Sequence, residues 1–193
     1  MTEARMKTNE RDELRRMGEE KISGEEIFNG FILHVQKDAV RLPDGNTASR
    51  EVIRHIGAVC VIPVTEENEV IMERQYRYPI NRVIWEIPAG KLDAANEDWL
   101  DAAKRELREE TGYTADEWTM IGEFYGAPAY SDERIGMFLA RGLHKGERHL
   151  DEDEYLDVVK VPLTELADAV MSGEISDAKT QVAILKAAKL LKV

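Results

Sequence analysis

The chain has 193 residues, 43% of them apolar and 33% charged, enough to fill the core of one domain and too apolar for wholesale disorder. Thirty-eight acids against 26 Lys and Arg leave a formal charge of −12. That balance excludes a general nucleic-acid or anionic-membrane binder, because both need a basic face.

Residues 1–26 carry 14 charges and almost nothing to bury, so a solvated helix or a loose charged arm is expected there. Their start, Met1-Thr2-Glu3-Ala4-Arg5, lacks the apolar core of a secretory signal. No stretch reaches the roughly 20 apolar residues of a membrane span. A cytoplasmic protein with no membrane partner is the expectation. From Ile27 the spacing of Phe28, Phe31, Leu33 and Val35 predicts strands, and Pro43-Asp44-Gly45-Asn46 has turn chemistry. Thr47 to Arg54 then returns as a hairpin arm. Residues 27–55 thus form an N-terminal antiparallel β subdomain, polar enough to stand outside the main core.

Residues 56–193 form the main domain. Ile56–Val64 and Val70–Tyr78, separated by Glu66-Glu67-Asn68, read as a buried hairpin. Cys60, the lone cysteine, permits no internal disulfide and sits in this first apolar run as a small hydrophobe. Val83–Ile87 is a further strand, stopped by Pro88-Ala89-Gly90. Trp99, Leu100, Ala103 and Leu107 then mark one apolar face of a helix over Glu97–Glu110, with Asn96 as N-cap and Gly112 as the stop. Strands follow around Trp118–Tyr125, Ile135–Ala140 and Tyr155–Val161. Two helices close the chain, Leu163–Met171 and Asp177–Leu191, broken at Ser172-Gly173. The fold class is α+β, a mixed β-sheet sandwiched by helices in an α/β/α layering.

The helix over 97–110 concentrates the chemistry. Glu106 and Glu110 are four residues apart and Glu109 is three beyond Glu106, so three carboxylates crowd one turn. Like charges at that spacing cost about 0.2–0.5 kcal/mol per pair. Arg105 reaches Glu109 at i,i+4, which leaves Glu106 and Glu110 uncompensated. A solvated acidic face and a site for a hard divalent cation both fit this pattern. His34, His55, His144 and His149 show no ligand spacing and read as surface or packing residues.

The segment from Gly90 to Tyr113 resembles the Nudix box: a glycine, then Glu97, then Arg105-Glu106-Leu107-x-Glu109-Glu110-x-Gly112-Tyr113. Six residues rather than the usual five separate Gly90 from Glu97, the extra one lying in the loop before the helix. The resemblance implies hydrolysis of a nucleoside diphosphate linked to another moiety, with Mg²⁺ as cofactor and Mn²⁺ as a substitute. It implies Glu106, Glu110 and the backbone carbonyl of Ala89 as metal ligands, Glu109 as a ligand or hydrogen-bonding neighbour, Arg105 as its orienter and Glu97 as a partner that stabilises the box.

Gln75-Tyr76-Arg77-Tyr78-Pro79, Trp85-Glu86-Ile87-Pro88-Ala89-Gly90, Pro128 sixteen residues after Gly112, and Asp177-Ala178-Lys179-Thr180 are similar to the ADP-ribose pyrophosphatase branch. Where relatives have Ser-Pro-Gly this chain has Ala127-Pro128-Ala129. Leu150-Asp151-Glu152-Asp153-Glu154 is similar to the acidic loop that supplies the base, with Glu154 as general base and Glu152 as the alternative. The resemblance implies that Arg77 contacts the phosphates or terminal ribose, that Phe31 stacks on the base and Arg50 holds the adenosine, and that Glu133 binds the sugar hydroxyls or base edge. Without it, Phe31 reads equally as core and Arg50 as a solvated strand charge.

Branch members are dimers that exchange their N-terminal β segments, so a homodimer swapped through 27–55 is expected. The expected reaction is hydrolysis of ADP-ribose to AMP and ribose 5-phosphate. The alternatives are another nucleoside diphosphate sugar, such as GDP-mannose, and a non-catalytic ADP-ribose-binding Nudix domain. The charge supports the site: Asp93–Glu110, with seven acids and three bases, and Glu147–Asp157, with six acids and one base, together carry −9 of the −12.

Overall fold

The computed structural model describes residues 10–150 and 154–193, which separate into two compact units, one built from residues up to His55 with Ala127–Glu133 and the other from Ile56–Gly126 with Arg134–Val193. In the N-terminal unit a short helix, α1 (Glu10–Met17), precedes an antiparallel sheet of β1 (Glu20–Asn29), β2 (His34–Arg41) and β3 (Thr47–Arg54), in that order. The predicted turn joins β2 to β3: Asp44 Oδ1 accepts from the Asn46 N–H at 2.9 Å, and Gly45 takes φ +88°. β1 begins at Glu20, inside the stretch expected to be an arm or helix. Every residue along it is exposed. Backbone pairing from Glu20↔Arg41 to Asn29↔His34 and the Lys21–Asp38 ion pair at 2.7 Å hold it in place, and no apolar periodicity announces it. Residues 127–133 join this unit through the Tyr130 carbonyl, which accepts from the Ile53 N–H at 2.7 Å, and through Asp132, paired with Arg54 at 3.0 Å.

The second unit contains β4 (Ala58–Pro63), β5 (Glu69–Arg77), β6 (Arg82–Glu86), β7 (Ala89–Lys91), α2 (Trp99–Thr111), β8 (Tyr113–Phe124), β9 (Ile135–Lys145), β10 (Leu156–Pro162), α3 (Leu163–Ser172) and α4 (Ala178–Leu191). Its strands form two sheets, β7-β4-β9-β8 and β10-β5-β6, with β4 and β9 parallel and the other pairs antiparallel. The chain is therefore mixed α+β. The expected hairpin of β4 on β5 is not formed. Only the isolated bridge Val64↔Val70 joins them. β4 is buried along its whole length and takes β7 and β9 as its two neighbours, while β5 takes β10 and β6.

Alternation decides which helix each strand residue meets. Val59, Val61 and Ile71 pack with Ala103 and Leu107 of α2, whereas Cys60, Ile62, Val70 and Met72 pack with Leu166 of α3 and Ile184 of α4. The sheets thus lie between α2 on one side and α3 and α4 on the other. Burial pushes the Cys60 thiol up to about 12, which leaves it an inert small hydrophobe.

α2 starts two residues later than its spacing predicts. Asp98, not Asn96, caps it, accepting from the N–H groups of Leu100 at 2.9 Å and Asp101 at 3.2 Å. Glu97 is retained in the loop, where its carboxylate accepts from the Asp93 N–H at 2.6 Å. The other end stops as expected, with Gly112 at φ +75° donating its N–H to the Arg108 carbonyl, a left-handed cap that favours glycine.

Candidate active site

α2 presents Glu106 and Glu110 inward, and both are buried, Glu110 to 4% exposure. Facing them is the short strand β7. The Ala89 N–H donates to Glu110 Oε2 at 2.9 Å. At the next residue no side chain fits, because a Cβ on Gly90 would stand 2.0–2.3 Å from the Glu106 carboxylate. The glycine of the motif is dictated here by close approach.

Arg105 organises the solvent side of the cluster. Its Nη1 donates to Glu106 Oε1 at 2.7 Å and to Glu109 Oε2 at 3.4 Å, its Nε to Glu97 Oε1 at 3.3 Å, and its Nη2 to the Lys91 carbonyl at 3.3 Å. The expected Arg105–Glu109 pair is thus the longer of two, and Glu106 is not left uncompensated. Anchoring to the Lys91 carbonyl holds the guanidinium toward the β7 loop, nearer Glu106. Glu97 fastens that loop to Arg105.

A second charged group lies on β5, β6 and the start of α4. Arg77 grips Glu86 with two hydrogen bonds, Nε to Oε1 at 2.6 Å and Nη2 to Oε2 at 2.8 Å. Lys179 pairs with the same carboxylate and with Asp177 at 3.1 Å. Burial alone would raise Glu86, but Arg77 and Lys179 hold it below the usual carboxylate range. Sequence reasoning gave Glu86 and Lys179 no role, and it missed Glu73 altogether. The available signal was a charge ending one apolar run, Val70-Ile71-Met72-Glu73, and a single charge inside another, Trp85-Glu86-Ile87.

The remaining predicted residues are distributed between the units. Glu154 lines an open cleft of about 350 Å³ with Arg74, Tyr76, Arg148 and Tyr155, and Glu152 lies outside the described residues. Phe31, Arg50 and Glu133 belong to the N-terminal unit. Phe31 sits between β1 and β2 at 89% exposure, so it is not core. Arg50 on β3 donates through Nε to Glu19 at 2.9 Å, and Glu133 lies 3.6 Å from His55.

The donors fit a hard divalent cation: they are oxygens only, several of them carboxylates and two of those buried on one helix face. Among the described residues no three acidic or imidazole groups are yet gathered as a ready ligand set. Their own partners hold them, Glu106 by Arg105 and Glu110 by the Ala89 N–H. The electrostatics record the crowding. Burial, opposed by Arg105, pushes Glu106 up to about 7. Glu110 and Glu73 are raised as well, by burial first; Glu73 adds to the rise of Glu110, and Glu86 to that of Glu73.

A pH dependence follows for Glu106. Between its ordinary value of 4.5 and about 7, the unfolded chain gives up a proton that the native chain keeps, so rising pH favours unfolding across that window. In chelator-containing buffer, the Tm of Glu106→Gln relative to the parent protein should climb from pH 4.5 to 7 and level off above. A constant difference measured by thermal unfolding at each pH would contradict the assignment.

Residues 54–180 match the NUDIX domain family, and the chain belongs to this family of hydrolases. It is 43% identical over 173 residues to the ADP-ribose pyrophosphatase of Bacillus subtilis (strain 168), a match covering 89% of this chain and 93% of that protein. It is also 43% identical over 168 residues to the "Methanol dehydrogenase activator" of Bacillus methanolicus, covering 86% of this chain and 90% of that one. A solved structure titled as an ADP compounds hydrolase superposes with a TM-score of 0.81 at 23% identity, covering 90% and 94% of the two chains, and shares the fold.

Proposed function

We propose that the chain hydrolyses the pyrophosphate of ADP-ribose to AMP and ribose 5-phosphate with Mg²⁺, for which Mn²⁺ can substitute. The observation that carries this reading is the buried pair Glu106 and Glu110 on α2, packed against the side-chain-free wall at Gly90. The likeness to an ADP-ribose pyrophosphatase over most of both chains supports the substrate. The dehydrogenase activator's name gives an effect on another enzyme rather than a substrate, so a substrate panel discriminates best.

The Ala89 carbonyl, Glu106, Glu110 and Glu109 hold the cation. When bound it supplies charge neutralisation at the pyrophosphate oxygens and acidifies water. Arg105 orients Glu106 and Glu109. Glu154 takes the proton of the attacking water, with Glu152 as its alternative. The water oxygen bonds to one phosphorus while the bridging P–O bond breaks, which yields two phosphomonoesters. Arg77, with Nε and Nη2 committed to Glu86, offers Nη1 to a phosphate oxygen. Phe31 stacks on adenine, Arg50 exchanges Glu19 for the adenosine moiety, and Glu133 accepts from sugar hydroxyls or the base edge.

The active form in this reading is a cytoplasmic homodimer. Ile27, Phe28, Phe31 and Ile32 are all more than half exposed, and a second subunit is the natural cover for such a patch. With purified protein and Mg²⁺, ADP-ribose should give AMP at a higher kcat/KM than GDP-mannose. The reverse order would sink the substrate assignment. Of Glu154→Gln and Glu152→Gln, the first should lose about 10²–10⁴-fold in kcat with metal affinity retained, and the second should stay near the parent rate.

A further inference from the structure

Glu73 is a charged residue where the packing asks for an apolar one. It lies in the middle of β5, the central strand of β10-β5-β6, is 2% exposed, and its Oε1 has no hydrogen-bond partner among the described residues. A buried carboxylate in that condition is strongly unfavourable unless something else meets it.

Strand geometry says what it faces. Side chains two apart on a strand share a face. Ile71, two residues before Glu73, packs with Leu107 and Ala103 of α2. Glu110 follows Leu107 by three positions, on the same side of that helix. Glu73 is also directly opposite Glu86 across the β5–β6 ladder, and opposed residues point to the same side of a sheet. Arg77 on β5 and Lys179 at the start of α4 are both bonded to Glu86. Burial raises Glu73 first, with Glu86 and then Glu154 adding to it, and Glu73 in turn raises Glu110. Both shifts agree with a carboxylate turned toward the acidic cluster.

We propose that Glu73 is a further carboxylate of the divalent-cation centre, supplied by the sheet wall across from Glu110 on α2. The inference rests on the metal-dependent reading of the site and deepens it. Glu106 and Glu110 come from one helix turn and the Ala89 carbonyl from strand β7, whereas Glu73 adds anionic oxygen from the central strand of the other sheet. An extra carboxylate in the wall raises the affinity of the centre for a hard cation and tightens the coupling between metal binding and the sheet.

The binding arm of the test needs no substrate, and ADP-ribose turnover of the parent protein is assayed beside it. Mg²⁺ and Mn²⁺ are titrated by calorimetry into the full chain and into Glu73→Gln, and thermal unfolding is followed with chelator and with excess cation. The expected result is an unchanged or higher Tm for Glu73→Gln in chelator, about tenfold or greater loss of cation affinity, and a smaller cation-induced rise in Tm. Glu73→Val, which keeps the strand's packing and removes every ligand atom, should behave the same way. Equal cation affinity and equal stabilisation in parent and both variants would overturn the proposal and leave the rest of the site standing. A parent protein that binds neither cation would overturn the metal reading and Glu73's part in it. Cation binding without ADP-ribose turnover would reject the substrate and support Glu73 only through the variants' weaker binding.

Discussion

Glu110→Gln should lower kcat by about 10³-fold at saturating Mg²⁺, the loss expected when several kcal/mol of charge stabilisation is withdrawn from the transition state. The substitution keeps the size of the side chain and an oxygen to accept from the Ala89 N–H, the contact made now at 2.9 Å. It removes one negative charge from a cluster in which Glu73 and Glu106 both push against Glu110. The folded chain should therefore be at least as heat-stable as the parent in chelator while losing nearly all turnover. A steady-state assay across a cation series, run beside a melting curve, separates these outcomes. Turnover within a few-fold of the parent at high cation would remove Glu110 from the ligand set.

Gly90→Ala should also abolish most activity, about 10²-fold, without unfolding the protein, because a catalytic group displaced by about 1 Å can cost that much. The new Cβ would fall 2.0 Å from Glu106 Oε1 and 2.3 Å from Oε2. Those atoms end a flexible side chain, so the carboxylate gives way and the backbone stays. Glu106 then swings from its site beside Arg105 Nη1, now 2.7 Å away. Because the damage runs through Glu106, the two substitutions should not add. Gly90→Ala combined with Glu106→Gln should be scarcely slower than Glu106→Gln alone. Additive losses in that cycle would place the cost of the methyl group in the loop backbone.

The site's helix was legible because its signals are local. Trp99, Ala103 and Leu107 mark the buried face and Gly112 ends it, and all four occupy the places their spacing implies. Its start was less so, since Asn96 and Asp98 are both competent caps and the choice depends on Glu97's bonds to Asp93 and Arg105. The part of β1 before Ile27 could not be read, because an exposed strand held by backbone pairing leaves no periodicity. The β4–β5 hairpin was misread for the opposite reason. Two runs that are apolar on either side of a tight turn look paired, and only the arrival of β7, β9, β6 and β10 assigns them to different sheets. Glu73 and Glu86 were visible as charges in apolar runs, but what meets them comes from segments far along the chain.

The pairing of β4 with β9 also orders events during folding. Ala58 lies beside Ile135 in parallel register, so the chain must close a long loop before that pairing forms. α2 lies wholly inside that loop and is built from local contacts. Its carboxylates are carried on a water-exposed helix while the sheet is incomplete, their repulsion screened by solvent. Glu106 and Glu110 are shut in when β7 closes over them, Ala89 bonding Glu110 and Gly90 meeting Glu106, so the electrostatic opposition within this site falls on the docking of α2 against the sheet and leaves the forming of the helix nearly untouched.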